Sequence, residues 1–402
     1  MPAHLTNRIA AKLARPLLAA ALALSVGVTS VQAGALPVTA AHPASDAPTS
    51  DNSVATVATK VYLPIAVSGN NSGSADSETQ IYWGALVDGL APSPENLQTG
   101  GAFKNFEASV NKSMAILHWG QPWEMKGAMQ PFQTSYFQAV RNRGSIPMLD
   151  WGSWALGGGV NQTKYRLSTI AAGTYDSYIR QWARDAKAWG HPFFLRFDWE
   201  MNGNWQFPWS AQLNGNTAND YINAWRHVHS IFTQEGANNA SWVWCPNIAG
   251  GTTLPFSSLY PGDDYVDWTC LDGYNFYDTW LNSSAVFNGE GINWLYNSYE
   301  QLLALAPDKP IMIGETSSLE AGDGGAKKAA WITEMLAETL PSAMPQIKAL
   351  VWFNWDANSV AHASLPLDSS PAATNAFAAA IASNYYVGAQ FGNLNASPIP
   401  AP

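Results

Sequence analysis

The 402-residue sequence carries little charge, and positive charge in particular is sparse. Charged residues make up 12% of the chain, and 20 Lys and Arg stand against 30 Asp and Glu, for a formal net charge of −10. The basic residues form no run. Proteins that bind nucleic acid neutralise phosphates with clustered Lys and Arg. We therefore expect no nucleic-acid partner.

Cysteine and histidine are also scarce. The seven histidines are scattered without the spacing of metal ligands, so we expect no metal and no cofactor. The two cysteines, Cys245 and Cys270, fit either one disulfide of an exported chain or two buried thiols. Both alternatives stay open, because we place the cysteines on adjacent parallel strands, where disulfide geometry is seldom met.

No apolar run is long enough to cross a membrane. The longest candidate, "PLLAAALALSVGV" at 16–28, falls short of the roughly 20 residues that a spanning helix needs. It follows Arg8, Lys12 and Arg15 and precedes the small residues before Ala33. This order is typical of a secretory signal peptide cleaved after about residue 33. We predict a secreted protein without membrane association once residues 1–33 are removed.

Large apolar residues are few in the segment that follows the signal. Residues 34–79 are rich in Ala, Ser, Thr and Pro, which predicts a disordered linker without a core of its own. The ordered domain should then cover 80–387. The last residues, 388–402, end in "NASPIPAP" and are expected to form a flexible tail.

Aromatic residues, by contrast, are abundant. They make up 12% of the chain, and tryptophan alone occurs 19 times. Aromatic faces pack well on uncharged, ring-shaped ligands, but tryptophan is also an ordinary large core residue. Composition leaves both interpretations open.

From residue 80 onward, short apolar runs alternate with segments of helical spacing. Continuous apolar runs of this length are typical of parallel strands buried on both faces. Eight such units predict a (β/α)8 TIM barrel, and a doubly wound sheet is the alternative, although no Gly-rich phosphate loop follows the first strand. The eight strand candidates are "IYWGALV", "SMAILHWG", "SIPMLDWG", "PFFLRFDWE", "ASWVWCPN", "VDWTCLDGYN", "KPIMIGETS" and "IKALVWFNW".

Two of these strands end in a glutamate. Strand four runs into Glu200 and strand seven into Glu315. In this fold the chemistry lies at the carboxyl ends of the strands, and an acid there is costly to bury without partners. Two carboxyl groups facing each other across a barrel mouth are what glycoside hydrolysis requires.

The sequence resembles family 26 of the glycoside hydrolases, which belongs to a clan of retaining (β/α)8 enzymes. The resemblance runs from about 80 to 385 and is carried by "RFDWEMNGNW", "LDGYN", "IGE" and "VWFNW", in this order. It implies that Glu200 is the general acid/base and Glu315 the nucleophile, with carboxyl groups about 5–5.5 Å apart. It also implies that Tyr274 hydrogen-bonds the nucleophile, although a place in an aromatic wall is the alternative.

One residue departs from the family pattern. Many members carry His immediately before the acid, whereas this chain has Trp199. In mannan-active members that histidine is tied to the sugar at the cleavage subsite. The departure leaves the catalytic pair in place and makes the choice of polymer less secure.

Several further residues near the strand ends are candidates for substrate binding or support. Trp205 and Trp352 are predicted stacking platforms for sugar rings. Asn202 could orient the acid or touch a sugar hydroxyl, with a simple turn role as the alternative. By strand alternation, Arg196 is expected to pair with Asp198 inside the barrel. Other acids near strand ends, Asp150 and Asp272 among them, are interpreted as loop-capping or solvated groups.

These observations together predict a secreted, endo-acting, retaining glycoside hydrolase. Its first candidate polymer is β-1,4-mannan, which would make it a mannan endo-1,4-β-mannosidase. Mixed-linkage β-glucan or β-xylan is the alternative polymer. A carbohydrate-binding barrel without catalysis is the alternative class. Nothing marks an apolar interface, so we expect a monomer.

Overall fold

The computed structural model describes residues 80–275, 297–356 and 364–402. The predicted signal peptide and linker lie outside the described residues. The described part contains eight long parallel strands, one for each predicted run. They are β1 (Ile81–Val87), β2 (Ile116–Met125), β3 (Ile146–Ala155), β4 (Phe193–Phe197), β5 (Ala240–Trp244), β6 (Trp268–Asp272), β7 (Ile311–Thr316) and β8 (Ile347–Asn354).

The eight strands close into a barrel. Each strand pairs in parallel with its neighbours in chain order, and β1 pairs with both β2 and β8. Two short strands extend this sheet: Ala128–Met129 runs antiparallel to the end of β2, and Tyr386–Val387 pairs with the start of β1. Closure confirms the barrel prediction, and the doubly wound alternative, which has an open sheet, is wrong.

Helices follow most of the strands and cover the outside of the barrel. Two of the described helices, α5 (Asp176–Trp189) and α6 (Ala218–Glu235), end at Gly190 and Gly236, whose positive φ of 77° and 71° suits a glycine cap. Among the described residues, no helix is both long enough and apolar enough to cross a membrane. The helices are α1 (Pro94–Leu97), α2 (Ala102–Val110), α3 (Thr134–Asn142), α4 (Leu167–Ala171), α5 (Asp176–Trp189), α6 (Ala218–Glu235), α7 (Ser298–Leu305), α8 (Ala326–Thr333), α9 (Leu340–Ala343) and α10 (Pro371–Ile381), with a π-helical turn at Glu334–Thr339 between α8 and α9.

Two hydrophobic cores result from this arrangement. The larger core lies between the strands and the helices. The smaller one fills the lower part of the barrel lumen, at the amino ends of the strands, and includes Tyr82, Phe194, Trp268 and Val351. Alternate residues of each strand supply the two cores, because successive side chains point to opposite faces of the sheet.

The C-terminal segment differs from our expectation of a flexible tail over 388–402. It packs across the amino-terminal end of the lumen, where Ile399 is 2% exposed. The Ile399 backbone accepts a hydrogen bond from Trp268 Nε1 at 2.8 Å and donates one to Ser241 Oγ at 2.8 Å. The Tyr82 hydroxyl donates to Pro400 O at 3.0 Å. The isoleucine fixes this segment, because it buries a large apolar side chain where the lumen would otherwise be open.

The structure joins Cys245 and Cys270 in a disulfide. The bridge links the residue after β5 to β6 inside the barrel and lies against Gly314 of β7. A Cβ atom at Gly314 would come within 2.4 Å of Cys270 Sγ and 2.8 Å of Asp272 Oδ1. Glycine is therefore required at the position immediately before Glu315.

Candidate active site

The end of strand four is not regular strand. We expected the strand to run to Glu200, but β4 ends at Phe197, and Asp198 and Glu200 have φ values of 44° and 51°. Left-handed backbone is uncommon outside glycine and needs support from its surroundings. The Glu200 backbone N–H donates to Cys245 O at 2.7 Å, and the Asp198 carboxyl accepts from Ser153 N at 2.8 Å and Ser153 Oγ at 2.7 Å.

This turn overturns the predicted pairing of Arg196 with Asp198. Strand alternation no longer applies beyond Phe197, and the Asp198 carboxyl points to Ser153 on β3 instead. Burial raises the pKa of Asp198 to about 8, against the two hydrogen bonds from Ser153 that lower it. Asp198 therefore fixes the turn that carries Glu200.

Glu200 lies at the barrel mouth, 3% exposed, with both carboxyl oxygens engaged. Trp205 Nε1 donates to Oε2 at 3.1 Å, and Asn247 Nδ2 donates to Oε1 at 3.0 Å. Burial, and then the nearby charge of Glu315, raise the pKa of Glu200 to about 7. The Asn247 and Trp205 bonds oppose that rise, because they favour the ionised carboxylate. Glu200 is thus able to hold a proton near neutral pH.

Glu315 faces Glu200 from the end of β7. Oε1 accepts from Arg196 Nη2 at 3.1 Å, and Oε2 accepts a short hydrogen bond from the Tyr274 hydroxyl. Burial, together with the charge of Glu315, raises the pKa of Tyr274, so its hydroxyl keeps its proton. A carboxylate oxygen of Glu315 lies within 4.8 Å of one of Glu200. The structure therefore brings together Glu200, Glu315 and Tyr274.

Arg196 occupies the centre of a buried ionic network beneath the two glutamates. Its guanidinium contacts Asp150 at 3.1 Å and Asp272 at 2.8 Å in addition to Glu315, and His118 Nε2 lies 2.8 Å from Asp150. All of these side chains are at most 4% exposed. Our interpretation of Asp150 and Asp272 as loop-capping or solvated acids is wrong. A buried arginine requires buried acids to compensate it.

Asn202 lies next to the site but is not open to a ligand. It is 0% exposed, and its side chain pairs with the backbone of Asn247: Nδ2 donates to Asn247 O at 2.8 Å, and Oδ1 accepts from Asn247 N at 3.0 Å. Asn202 therefore positions Asn247, which in turn holds Glu200. Asn247 was not among the predicted site residues, although it is the last residue of the predicted strand "ASWVWCPN", where functional side chains are expected.

Trp205 is the predicted platform that the structure does place at the site. It is half-buried and donates a hydrogen bond to Glu200. It also lines a cavity together with Asn247 and Tyr274. Its indole lies over Gly203, where a Cβ atom would come within 2.2 Å of the ring. The glycine of "EMNGNW" is required for that close approach.

Trp352, the other predicted platform, lies outside the barrel wall. It is 0% exposed, and its ring packs against Phe377 of α10 at 5.0 Å. The prediction that Trp352 is a stacking platform is wrong, because its side chain lies on the outer face of β8. Neighbouring residues of a strand point to opposite sides. Phe353 and Trp355 face the barrel mouth instead.

A second cavity lies beside Glu315. Aromatic residues dominate its walls, and Trp199, in the position of the family's histidine, is one of them. Trp199 is half-buried, packs against Phe207 and Trp209 at ring distances of 5.1 and 4.7 Å, and lies 5.6 Å from the Arg196 guanidinium. The aromatic residues of this cavity are Trp154, Trp199, Phe207, Phe353 and Trp355.

Among the described residues, and leaving aside the group that contains the disulfide of Cys245 and Cys270, two groups of three side chains could offer ligands to a cation. They are His118, Asp150 and Glu315, and Glu200, Asp272 and Glu315. Arg196 contacts Asp150, Asp272 and Glu315, so a cation would place a second positive charge against the guanidinium. The donor set therefore fits a metal poorly, and the expectation that none is needed stays a prediction.

Fold and site together define a (β/α)8 barrel with two buried glutamates facing each other at its mouth, the arrangement of glycoside hydrolases. The model of glycosyl hydrolase family 26 matches residues 107–301. The chain belongs to that family.

Two characterised proteins are similar to parts of the chain. Endoglucanase H of Acetivibrio thermocellus is 33% identical over 291 residues, which is 70% of this chain and 29% of the relative. A mannan endo-1,4-beta-mannosidase (A and B) of Caldalkalibacillus mannanilyticus is 34% identical over 130 residues, 31% of this chain and 21% of the relative. The chain thus spans less than a third of either relative.

A solved structure shares the fold. It is the catalytic domain of a family 26 endo-beta-1,4-mannanase from Bacillus sp. JAMB-750, with a TM-score of 0.57 and 20% identity. The match covers 79% of this chain and 90% of that structure.

Proposed function

We propose that this protein is an endo-acting, retaining hydrolase of a β-linked polysaccharide, with Glu200 as general acid/base and Glu315 as nucleophile. The observation that carries the proposal is the pair of carboxylates within 4.8 Å of each other, held in different chemical environments. Retaining enzymes place their two carboxyl groups about 5–5.5 Å apart, whereas inverting enzymes need about 6.5–9.5 Å to admit a water. The short separation favours retention.

The two environments suit the two roles. Glu200, whose pKa is raised to about 7, is protonated in a large fraction of molecules at neutral pH and donates to the leaving oxygen. Glu315 accepts hydrogen bonds from the Arg196 guanidinium and the Tyr274 hydroxyl, which fix the orientation of its carboxyl group. Different surroundings for the two acids are typical of such a catalytic pair.

In the first step, a Glu315 oxygen bonds to the anomeric carbon while the glycosidic C–O bond breaks, and the leaving oxygen takes the Glu200 proton. In the second step, Glu200 accepts a proton from water, whose oxygen attacks the same carbon and releases Glu315. The sugar keeps its original configuration, because each step inverts it once.

Cavities on both sides of the glutamates support an endo mode. On the Glu200 side lies the cavity of Trp205, and on the Glu315 side lies the aromatic cavity of Trp199. A further cavity, lined by Gln133 and Tyr136, shares Gly120–Pro122 and Trp355 with the aromatic one. A chain bound across all three would extend beyond the cleaved bond in both directions.

We propose a β-glucan as the first polymer and β-1,4-mannan as the second. Trp199 presents an apolar wall in place of the polar histidine associated with mannan, and a relative matched over 70% of this chain is called an endoglucanase. Mannan remains the competing candidate because other relatives bear mannanase names. We further propose, from residues 1–33, that the protein is secreted, and that it acts as a monomer.

The test is product release from a panel of polysaccharides by wild type and Glu315→Ala. The panel contains mixed-linkage glucan, glucomannan, galactomannan, and β-1,3- and β-1,4-xylan. Removal of a covalent nucleophile should lower the rate by at least about 10⁴-fold. Cleavage of mixed-linkage glucan supports the first polymer, and cleavage of galactomannan instead supports the second. A variant as active as wild type would remove Glu315 from the nucleophile role, and binding without cleavage by wild type would favour a carbohydrate-binding protein.

A further inference from the structure

Gln206 is a buried side chain without a hydrogen-bond partner among the described residues. It follows Trp205 in the loop after β4 and is 4% exposed. Neither its Nε2 nor its Oε1 finds a partner. The side chain lines the aromatic cavity beside Glu315, together with Trp199 and Phe207.

Two other buried amides around this loop are fully satisfied, and a third, Asn214, is bonded through Nδ2 but not through Oδ1. Asn216 accepts from Leu167 N at 3.0 Å and donates to two backbone carbonyls at 2.7 and 3.0 Å. Gln162 accepts from Ala155 N at 2.8 Å and donates to Gly159 O at 2.7 Å. A buried amide that forms no bond is destabilising, and most such groups in proteins are paired. The unpaired amide of Gln206 therefore lowers the stability of the folded protein, and no hydrogen bond within the described residues offsets this loss.

The chemistry of the cavity indicates what would bind there. Aromatic rings cover its walls, and such faces pack on the C–H faces of a sugar ring. A primary amide offers both donors and an acceptor, which is what a hydroxyl group requires of its partner. An aromatic wall with one unpartnered amide is a typical design for a ligand pocket, where a few polar groups fix orientation.

We propose that Gln206 binds a hydroxyl group of the sugar unit seated against Glu315 and thereby selects the polysaccharide. This inference rests on the proposed function, because that sugar is the one bonded to the nucleophile. A site built around a hydrogen bond to a hydroxyl discriminates strongly against a sugar that lacks the group, since its own amide is then left unpaired.

The test compares Gln206→Met with Gln162→Met. Both changes replace a buried amide by an apolar chain of similar length. In Gln206→Met we expect a loss of about tenfold or more in kcat/KM. The loss should be similar for the polymer that wild type cleaves and for the matching 2,4-dinitrophenyl glycoside. That glycoside is the β-cellobioside if wild type cleaves glucan and the β-mannobioside if it cleaves mannan. The Tm of Gln206→Met should equal or exceed that of wild type, whereas Gln162→Met should lower Tm and change kcat/KM little.

A second readout uses analogues of the dinitrophenyl glycoside that lack one hydroxyl each. For the analogue without the bonded hydroxyl, wild type and Gln206→Met should have equal kcat/KM. An active wild type with an unchanged Gln206→Met variant would overturn this inference and leave the proposed function intact. A Gln206→Met variant with a lowered Tm would likewise overturn it, by making the residue structural. A wild type that cleaves no polysaccharide would overturn the proposed function and this inference with it.

Discussion

The two ends of the barrel lumen differ in almost every physical respect. The amino-terminal end is filled with apolar side chains and covered by Ile399, with Tyr82 and Trp268 bonded to the covering segment. The carboxyl end holds Arg196 among three acids, and all four are buried. Apolar burial contributes directly to stability, whereas buried ions repay their desolvation only if every partner is in place. The comparison predicts that a change at the amino-terminal end lowers stability without lowering activity, whereas a change among the buried ions at the carboxyl end lowers activity and, where a charge loses its partner, stability as well.

The largest effect should come from Arg196→Met, because it removes the cation from three buried carboxylates. Removing one partner of a buried ion pair costs about 3–5 kcal/mol of stability. Glu315 also loses the Arg196 hydrogen bond that holds its carboxyl group in place, so hydrolysis should fall strongly as well. Chemical denaturation and polysaccharide hydrolysis measure the two losses.

The pH dependence sharpens this prediction. Burial raises the pKa of Asp272 well above its ordinary value, and Arg196 opposes that rise. A group with a raised pKa binds its proton more tightly in the folded state, so the variant should lose stability as pH increases. Arg180→Met, which breaks a half-buried surface pair with Glu235, is the control and should cost about 0–1 kcal/mol. Equal losses in both variants would contradict the contrast between fully buried ions and ions at the surface.

Glu200→Ala should damage activity with little loss of stability. General acid catalysis contributes about 10²–10⁴-fold, and a good leaving group needs little protonation. The variant should therefore lose far more activity on polysaccharide than on a dinitrophenyl glycoside. Steady-state kinetics with the two substrates, side by side, decides the point, and equal losses would remove Glu200 from the acid/base role.

The same residue should determine how kcat/KM decreases at alkaline pH. With a pKa of about 7, Glu200 should lose its proton as the pH rises through neutrality, and kcat/KM on polysaccharide should fall there. In Glu200→Ala, the dinitrophenyl glycoside should show no such fall. A fall that persists in the variant belongs to another group.

The smallest effect on function should come from Ile399→Ala at the opposite end of the lumen. Truncating a buried isoleucine costs about 2–5 kcal/mol, so Tm should decrease. At 25 °C, kcat/KM should match wild type, because the proposed catalytic groups, Glu200 and Glu315, lie at the other end of the strands. Asn393→Ala, at an exposed position of the same segment, serves as the control. A loss of activity without a loss of Tm in Ile399→Ala would contradict the separation of the two ends.

Sequence patterns predicted the features that depend on the local order of residues, namely the strands and the acids at their ends. They did not predict the side-chain partners that come from distant strands across the barrel. Apolar runs predicted the eight strands, and the acids at two strand ends predicted Glu200 and Glu315 as the facing pair. Trp352 was assigned to the wrong side of its strand, because a continuously apolar run shows no alternation to fix the register.

The remaining differences have a common physical origin. The partners of Arg196 come from β3, β6 and β7, far apart in the sequence. Asn247, which Asn202 helps to position, bonds Glu200 directly, and the tail is fixed by Ile399, a lone large apolar residue in a Pro-rich segment. Composition and spacing carry no information on which distant element each side chain meets.

The covering segment at the amino-terminal end also sets a condition on biosynthesis. The Tyr82 hydroxyl donates a hydrogen bond to Pro400 O, which lies 318 residues away in the sequence. The lumen of a nascent chain therefore stays uncovered until residues near 400 have left the ribosome. Contacts between residues so far apart in the sequence have a large cost in loop-closure entropy and form slowly. Covering the lumen is therefore a late event of folding, and until then Tyr82 and Trp268 lack their partners. A chaperone that recognises apolar surface would have its longest opportunity at this end of the barrel.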